Sequence, residues 1–375
     1  MYDVIIVGTN TVSLAIALSI YKKNPHAKIA ILERDSMLSS LYSQQDLIIH
    51  SVESDENAYY KLLMNDGYHM LLEYCNHHKI EYNIYEQMVV ASQHNGNDVQ
   101  SKKKLSGLIG DHWETKKVNI AVLSLQHLYE KMLNEIKEYG GDVYFQSPIL
   151  YIKERKKNVE VVTSTNIFEG SYLINCAGFY ADRVARLSGY NFNLQKRTTH
   201  SEYYRLGMIE SVNQFITSLR TRSTQHLQFQ MFKGADADSI IRIYREETIE
   251  NPLLRKCLRA FKNQHSDKQQ NLLMLAKFYV NEGIEDVTKA FSKRKIVDEV
   301  QRFIPHFSTA HLQSKKATVV NYHYSNYSSE DEFHLFYEKY SAHLCISSLI
   351  AGNMSFAIGS EIAKKVEFSQ MFSVR

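Results

Sequence analysis

The sequence predicts an α/β fold, and three observations near its start support that prediction. Residues 3–8 are apolar and rich in β-branched side chains, as in a buried parallel strand, and they end at Gly8. An apolar helix pattern follows and stops near Asn24. A second apolar strand, residues 28–33, ends in the acid Glu33. A strand, a glycine turn, a helix and a strand ending in an acid are the layout of a dinucleotide-binding βαβ unit.

The glycine fingerprint of that unit is incomplete. The pattern G-x-G-x-x-G falls on Gly8, Asn10 and Ser13. Gly8 is expected in the tight turn, with the next helix N-terminus directed at a pyrophosphate. Asn10 tolerates positive φ better than other non-glycine residues, but its side chain would fill space that the phosphates need. Ser13 is small and is the milder change, while Glu33 is either a ligand of the adenosine ribose hydroxyls or an ordinary strand-end carboxylate.

The bulk composition limits the class of protein. The 375 residues suffice for two domains or for one domain with a large insertion. A net charge of +3 is too small to favour a nucleic acid or an anionic membrane as partner. The four cysteines form no C-x-x-C pair, so neither a disulfide framework nor a metal site is expected. No stretch of about 18 residues is free of polar interruption, so no transmembrane segment is expected.

Helix and strand patterns continue along the chain. Helices are predicted at residues 57–79, 123–139 and 354–366, and strands at 87–92, 142–146, 149–154, 159–164, 171–176 and 343–347. Residues 93–117 are predicted to form a polar surface loop, residues 200–246 several strands, and residues 252–303 mainly helices.

Several longer runs occur in an order that is itself informative. They are YDVIIVG at 2–8, AILERD at 30–35, LINCAGFYADRVARLSG at 173–189, SEYYRL at 201–206, FSKRKIVDEVQRFIPHF at 291–307 and HLCISSLIAGNMSFAIGSEIA at 343–363. The chain resembles, nearly end to end, the D-amino-acid oxidase-like superfamily of FAD-dependent oxidoreductases. Within that superfamily it is most similar to the L-2-hydroxyglutarate dehydrogenase/oxidase family.

The resemblance implies a fold and a reaction. The expected fold is a glutathione-reductase-type FAD-binding domain assembled from discontinuous segments, with an inserted α+β substrate domain on a mostly antiparallel sheet. The expected boundaries are 1–85, 118–199 and 316–375 for the first domain, and 86–117 and 200–315 for the second. The implied reaction transfers a hydride from C2 of a small L-2-hydroxy acid to flavin N5 and gives a 2-oxo acid. FAD is the implied cofactor.

The resemblance also implies site residues. His50 matches the base that takes the hydroxyl proton, because an imidazole pKa suits that task, although a core or surface histidine is an equal alternative. Tyr203 matches a strand near the substrate. For Gly178 the alternative to a cofactor role is a purely structural one, in a tight strand–helix connection. The implied cofactor-binding residues are Gly8, Asn10, Ser13, Glu33, Arg34, Ala177, Gly178, Asp182, Gly352, Asn353 and Met354.

The chain departs from the family at positions that matter for chemistry. Leu47 replaces a glycine near the flavin, Val320 replaces an arginine suited to a substrate carboxylate, and residues 346–350 replace a proline-containing run. Losing such an arginine costs roughly 2–5 kcal/mol where its partner charge is desolvated. The alternative is therefore a catalytically inactive homologue that acts as a structural or interaction subunit.

The sequence favours the enzyme and leaves other properties open. Substrate identity, electron acceptor and membership of an oligomer or larger complex are undetermined. Mitochondrial and cytoplasmic locations both remain open, and no transit peptide is expected ahead of the first strand.

Overall fold

The computed structural model describes residues 1–36, 46–51, 59–90, 113–155, 158–207, 215–218, 228–236, 238–246, 293–325 and 333–366. The expected surface loop as far as residue 112 and the expected helices at 252–292 lie outside these residues.

A mainly parallel sheet contains the predicted βαβ unit. Its strands lie in the order Phe333–Tyr337 (β15), Ser341–Ile346 (β16), Ile167–Asn175 (β9), Tyr2–Val7 (β1), Ile29–Leu32 (β2) and Asp142–Tyr144 (β6). The pairs from β16 to β6 are parallel and β15 is antiparallel to β16. Two further strands, Ile149–Glu154 (β7) and Val159–Thr163 (β8), join the first part of β9 in an antiparallel meander.

The helices in the described residues are Thr11–Lys23 (α1), Tyr59–His78 (α2), Leu125–Glu138 (α3), Ala181–Leu187 (α4), Lys293–Gln301 (α5) and Ser348–Lys365 (α6). The main apolar core lies between the first sheet and α1, α2, α3 and α6. A Cβ at Gly359 would come within 2.6 Å of the Ala15 carbonyl oxygen, so glycine allows α6 to lie directly on α1. The opposite face of the sheet packs against the meander and α4.

A second sheet is almost entirely antiparallel. Its order is Leu312–Ser325 (β14), Gln195–Leu206 (β10), Ser239–Glu246 (β13), Gln228–Lys233 (β12), Phe215–Ser218 (β11), Tyr82–Val90 (β4), Trp113–Ser124 (β5) and Asp46–His50 (β3), with only β11 and β4 parallel. Alternate residues of β12 and β13, such as Phe229 and Ile241, pack against α5 and form the outer face. The inner face carries Tyr203 and Arg242, which line the cavity described below.

The predicted fold class is confirmed, with differences at several element ends. Residues 113–117, expected in a loop, are strand, because they pair with residues 87–90 of β4. Residues 46–50 form β3, which the sequence did not predict, and α6 begins at Ser348 rather than near Met354. The expected domain boundaries fall inside β4, β5, β10 and β14, which each run continuously across them. The division into two domains at these boundaries stays a prediction.

Across the part of the chain that the structure describes, no helix has both the length and the apolar character of a membrane span.

Candidate functional site

A cavity of about 650 Å³ lies where the carboxyl ends of β1, β2 and β9 meet the inner face of the second sheet. Ligands of open α/β sheets bind at this edge, and the volume lies within the roughly 300–1,000 Å³ of small-molecule sites. The residues that line it include Gly8, Asn10, Glu33, Arg34, Asp46, Leu47, Ile48, Tyr129, Ala177, Gly178, Arg183, Tyr203, Arg242, Tyr322, Ser348 and Gly352. One open space thus connects the βαβ unit with the second sheet.

The first turn of the βαβ unit requires glycine at position 8. Gly8 has a φ of 98°, a left-handed conformation that side chains rarely adopt. A Cβ there would also lie 2.6 Å from the Cys176 carbonyl oxygen. The predicted role of Gly8 in a tight turn is consistent with both observations.

Asn10 caps helix α1 instead of adopting the positive φ that the fingerprint suggested. Its φ of −90° and ψ of 173° are extended. The Oδ1 atom accepts hydrogen bonds from the backbone amides of Val12 and Ser13, both at 3.1 Å, as expected of an N-cap. Its Nδ2 donates to the Cys176 carbonyl at 2.6 Å. The side chain therefore occupies the amide groups that a bound pyrophosphate would use.

Ser13 is fully buried and does not line the cavity. Its hydroxyl donates to the Asn10 carbonyl at 2.7 Å.

Glu33 is held in the cavity wall by backbone and side-chain donors. The amide and hydroxyl of Thr9 donate to Oε2 at 2.9 and 2.8 Å, and the Asp35 amide donates to Oε1 at 3.0 Å. A carboxylate has about four acceptor positions, so capacity for a ribose hydroxyl remains. Next to it, the Arg34 guanidinium lies 4.1 Å from the centre of the Tyr180 ring and pairs with Asp35 at 2.9 Å.

The turn after β9 forms the opposite wall. Gly178 has a φ of 55°, and a Cβ there would lie 2.7 Å from the Tyr322 hydroxyl. The Ala177 amide donates to Asn175 Oδ1 at 3.2 Å. Ala177 and Gly178 both line the cavity, and the close approach of Tyr322 leaves no room for a side chain at position 178.

Asp182, predicted to bind the cofactor, lies behind this turn and does not line the cavity. Lys196 donates to Asp182 Oδ1 at 2.9 Å and to the Phe179 carbonyl at 2.7 Å. Burial raises the pKa of Asp182, but the hydrogen bonds and charges of Lys196 and Arg186 outweigh it and lower that pKa overall. Because Tyr324 donates to Asp182 and to the Gly178 carbonyl, the network holds the turn in place.

The N-terminal part of α6 borders the cavity, and Gly352 is one of its lining residues. A Cβ at this position would collide with Cδ1 of Leu47, so the leucine packs into space that the glycine leaves. Leu47 lines the cavity but leaves it open. The leucine that replaces the family glycine is therefore accommodated against Gly352.

Asn353 and Met354 do not line the cavity. Asn353 Oδ1 accepts a hydrogen bond from the His50 amide at 2.6 Å, and its Nδ2 donates to the Met64 carbonyl at 2.7 Å. Asn353 therefore ties α6 to β3 and α2, and Met354 is fully buried in the main core.

His50 lies on the same face of β3 as Asp46 and Ile48, since alternate residues of a strand share a face. Those two residues line the cavity, whereas His50, two residues further along, does not. Burial lowers the pKa of His50, because a buried imidazole disfavours its charged form. His50 is therefore neutral near pH 7.

Tyr203, predicted to lie near the substrate, lines the cavity. It is 2% exposed, and it lies directly opposite Arg242 in the pairing of β10 with β13. Burial raises the pKa of the Tyr203 phenol, while the charge of Arg242 lowers it by a smaller amount. The phenol is therefore protonated at neutral pH and can donate a hydrogen bond.

Arg242 and Asp46 are two further charged residues of the site, which the motifs of the sequence do not indicate. Both line the cavity near Tyr203, and the charge of Asp46 contributes to the raised pKa of that phenol. An arginine within the isoleucine run of residues 240–243 was the available signal, because Ile240, Ile241 and Ile243 around it are fully buried.

No group of His, Cys, Asp and Glu side chains suited to a metal ion occurs among the residues that the structure places.

Comparison with known proteins agrees with this architecture. No protein-family model matches the chain. It is 26% identical to the L-2-hydroxyglutarate dehydrogenase of Indibacter alkaliphilus over 215 residues, which are 50% of this chain and 53% of that protein. It is 20% identical to the enzyme of the same name from Escherichia coli over 398 residues, which cover 98% of this chain and 93% of that protein.

Solved structures share the fold at low sequence identity. Glycine oxidase from Geobacillus kaustophilus superposes with a TM-score of 0.66 at 11% identity, covering 98% of this chain and 94% of that one. L-α-glycerophosphate oxidase from Mycoplasma pneumoniae, solved with FAD bound, gives a TM-score of 0.66 at 14% identity, covering 97% and 94%. The predicted resemblance is thus confirmed: the chain is similar over most of its length to L-2-hydroxyglutarate dehydrogenases, and it has the fold of the amino acid and glycerophosphate oxidases.

Proposed function

We propose that the protein is an FAD-dependent oxidoreductase that converts a small L-2-hydroxy acid into the corresponding 2-oxo acid. The similarity to L-2-hydroxyglutarate dehydrogenases supports the reaction class. The observation that carries the proposal is the continuous cavity, which has Gly8 and Glu33 at one end and Tyr203 and Arg242 at the other. A dinucleotide and a small acid would need space of this kind side by side.

The residues around the cavity fit FAD. Three residues of the cavity wall are glycines at positions where a Cβ would collide with a neighbour. The neighbour is the Cys176 carbonyl for Gly8, the Tyr322 hydroxyl for Gly178 and the Leu47 side chain for Gly352. Asn10 is the exception, since its own amide group lies on the first turn of α1. Because the Asn10 side chain can rotate, it makes the fit of the pyrophosphate poorer but does not close the site.

Each part of the cofactor has a candidate partner in the cavity wall. The turn at Gly8 and the start of α1 would hold the pyrophosphate, and Glu33 would accept hydrogen bonds from the ribose. Ala177, Gly178 and the first turn of α6 would border the ring system. Bound FAD would supply N5 of its isoalloxazine ring as the hydride acceptor.

The protein's own residues would orient the substrate and move its proton. Tyr203 carries its proton at neutral pH and would donate a hydrogen bond to a substrate oxygen. His50 is neutral and is the candidate base for the hydroxyl proton, on the ground of its protonation state and its strand face. Its ring does not line the cavity, so this role requires the substrate hydroxyl or one bridging water to come within hydrogen-bond reach of the ring.

An inactive homologue remains the alternative to an enzyme. It was suggested by Asn10, Leu47, Val320 and the replacement of a proline-containing run at residues 346–350. The cavity is open, and Leu47 is accommodated against Gly352. These observations weigh against the alternative.

The decisive measurement is the absorbance of the purified protein at roughly 350–500 nm, where oxidised flavin absorbs. We expect bound flavin, either as purified or after refolding with FAD. Anaerobic addition of L-2-hydroxyglutarate or another L-2-hydroxy acid should bleach it, whereas glycine and L-α-glycerophosphate should not. A protein that stays colourless after refolding with FAD would exclude the enzyme.

A matched pair of variants separates the cofactor site from general backbone strain. Gly8→Ala and Gly140→Ala both place a side chain at positive φ, but a Cβ at Gly140 has open space around it. We expect Gly8→Ala to lose flavin and Gly140→Ala to retain it. Equal retention by both variants would remove the turn at Gly8 from the cofactor site.

A further inference from the structure

One face of the short helix α4 lines the cavity. Its members are spaced three or four residues apart, as on one side of a helix, and they are Tyr180 at the N-cap, Arg183, Val184 and Leu187. Asp182 and Arg186 lie on the other side of α4, where they pair with each other at 2.8 Å and do not line the cavity. The helix thus directs one arginine to the cavity and the other away from it.

Helix α4 borders the same part of the cavity as the start of α1. Val184 packs in one apolar cluster with Val7, the residue that immediately precedes Gly8. The turn that leads into α4 contains Gly178, and a Cβ there would lie 3.9 Å from Nδ2 of Asn10. Since α1 and α4 pack on opposite faces of the first sheet, a ligand lying over the end of β1 would have one helix on each side.

Among the described residues, Arg183 is a cavity-lining cation without a protein partner. All the positively charged residues of the described lining are arginines. Arg34 is neutralised by Asp35, to which its Nε and Nη2 donate at 3.0 and 2.9 Å. Arg242 lies at the other end of the cavity, with its guanidinium carbon 5.2 Å from the centre of the Tyr203 ring. Arg183 is exposed, and it makes no hydrogen bond or ion pair with any residue that the structure describes.

A bound dinucleotide would bring negative charge that the first turn of α1 does not fully compensate. Glycine fingerprints bind a pyrophosphate through backbone amides at a helix N-terminus. Here Oδ1 of Asn10 accepts the amide protons of Val12 and Ser13. A guanidinium can take their place, because its hydrogen bonds with phosphate oxygens are charge-assisted and roughly twice as strong as neutral ones.

We propose that Arg183 binds the pyrophosphate of the cofactor and supplies the charge that the incomplete glycine fingerprint does not. The proposal rests on the proposed function for the identity of the cofactor. It adds a residue from α4, on the wall opposite to α1. The pyrophosphate would then be held from both sides, by the turn at Gly8 and by the side chain of Arg183.

The test compares two fragments of the cofactor in competition with FAD. ADP contains the pyrophosphate and adenosine lacks it. Quenching of flavin fluorescence in a titration of the flavin-free protein measures the Kd for FAD, and displacement of FAD measures the Kd for each fragment. We expect Arg183→Gln to weaken the binding of FAD and of ADP about 10-fold each and to leave the binding of adenosine unchanged.

Arg186→Gln is the matched control. It makes the same change of charge on the same helix, but Arg186 pairs with Asp182 and does not line the cavity. Asp182 keeps its hydrogen bonds from Lys196 and Tyr324, so the turn before α4 stays in place. This variant should bind ADP as the unaltered protein does. A loss of ADP affinity as large as that in Arg183→Gln would assign the effect to net charge and overturn the proposal.

Two further measurements distinguish a direct bond from a general effect of charge. Arg183→Lys keeps the charge but loses the paired donors, so its affinity for ADP should be intermediate. Raising the ionic strength should weaken ADP binding less in Arg183→Gln than in the unaltered protein, because the charge that salt screens is already absent.

The melting temperature of the flavin-free protein reports whether each variant is folded. It should be unchanged in Arg183→Gln, since Arg183 is exposed and has no partner in the described chain. A folded Arg183→Gln protein that binds ADP as tightly as the unaltered protein would overturn the proposal. An equal loss of affinity for ADP and adenosine would also overturn it, because adenosine has no phosphate.

The outcomes distinguish this proposal from the proposed function. If the unaltered protein bound neither FAD nor ADP, both would be overturned. FAD binding that depends on Arg183, without reduction of the flavin by any 2-hydroxy acid, would support the role of Arg183 and reject the oxidoreductase. Reduction by a 2-hydroxy acid, with equal FAD affinity in the unaltered and Arg183→Gln proteins, would support the function and reject the role of Arg183.

Discussion

The side chain of Asn10 bridges helix α1 and the end of strand β9 through Cys176. Its Nδ2 donates to the Cys176 carbonyl at 2.6 Å, while its Oδ1 accepts the Val12 and Ser13 amides at 3.1 Å each. The helix N-terminus is thus satisfied by the side chain of Asn10. The same contacts must be exchanged when a pyrophosphate binds there.

Asn10→Gly should therefore tighten FAD binding. Glycine at an N-cap costs only a few tenths of a kcal/mol, and it frees the Val12 and Ser13 amides for the ligand. Because an amide hydrogen bond is worth about 1 kcal/mol net, we expect the Kd for FAD to fall about 3- to 10-fold. Quenching of flavin fluorescence in a titration measures this affinity.

Asn24→Gly is the control for that experiment. Asn24 follows the other end of α1, where its Oδ1 accepts the His26 amide at 3.3 Å. This variant changes the same residue type on the same helix without touching the cavity, so its Kd should be unchanged. Weaker FAD binding in Asn10→Gly would show that the asparagine helps to hold the cofactor.

The contact between Leu47 and Gly352 predicts a second, paired effect. Gly352→Ala should push Leu47 into the cavity, because the new Cβ and Cδ1 of the leucine cannot occupy the same space. Overpacking of this kind costs about 1–3 kcal/mol, so FAD affinity should fall about 10-fold. Adding Leu47→Ala should restore it, and a double-mutant cycle measures the coupling. Strictly additive effects on the Kd would contradict this account.

The start of the chain could be predicted because its signals are local. The strand at 2–7, the turn at Gly8 and the acid at Glu33 lie within one short segment whose periodicity and turn chemistry agree. The family motifs beyond that segment contain residues that line the cavity and also residues that only hold the cavity wall in place. Ala177 and Gly178 line the cavity, whereas Asp182 in the same run only holds the turn.

The other end of the cavity could not be predicted in the same way. Arg242 lies opposite Tyr203 because β13 pairs with β10. Asp46 is placed by β3, a strand that forms by pairing with β5. Neither pairing has a local signal in the sequence, since register depends on the assembled sheet. The position of His50 relative to the cavity depends on the same register.

His343 predicts that the protein loses stability in mild acid. It is fully buried, and burial lowers its pKa from 6.5 to about 4. Its Nδ1 faces the Asn175 amide nitrogen at 3.1 Å, which donates, and its Nε2 faces Ser341 Oγ at 3.1 Å. A proton on Nδ1 would therefore meet a donor, so the folded protein holds this histidine neutral.

The direction of the change in stability with pH follows from proton linkage. The unfolded chain takes up the proton as pH falls below 6.5 and the folded chain does not until about 4, so stability is full above 6.5. It should decline by about 3 kcal/mol as pH falls from 6.5 to 4. Urea denaturation at several pH values measures it. His343→Gln should be less stable at pH 7 but lose less on acidification, and an equal loss would exclude His343 as the cause.

His50 should act through its neutral form. His50→Gln is expected to slow reduction of the flavin by substrate without releasing the flavin, because the residue lies outside the cavity lining. Burial lowers the pKa of His50, so the rate should stay level from pH 8 to 6.5 and fall only below its ordinary value of 6.5. Stopped-flow reduction across pH measures both. Unchanged reduction in His50→Gln would remove it from the mechanism.

Tyr203 and Tyr204 offer a matched pair on opposite faces of β10. Tyr203 lines the cavity, whereas Tyr204 packs in the outer core and donates to Glu202 at 2.9 Å. Tyr203→Phe removes a donor beside the substrate and should lower kcat/KM about 10- to 100-fold. Tyr204→Phe should leave kcat/KM unchanged while lowering the melting temperature. Since burial raises the pKa of Tyr203, the activity should show no loss up to pH 9, and equal effects of both variants on kcat/KM would contradict a role at the substrate.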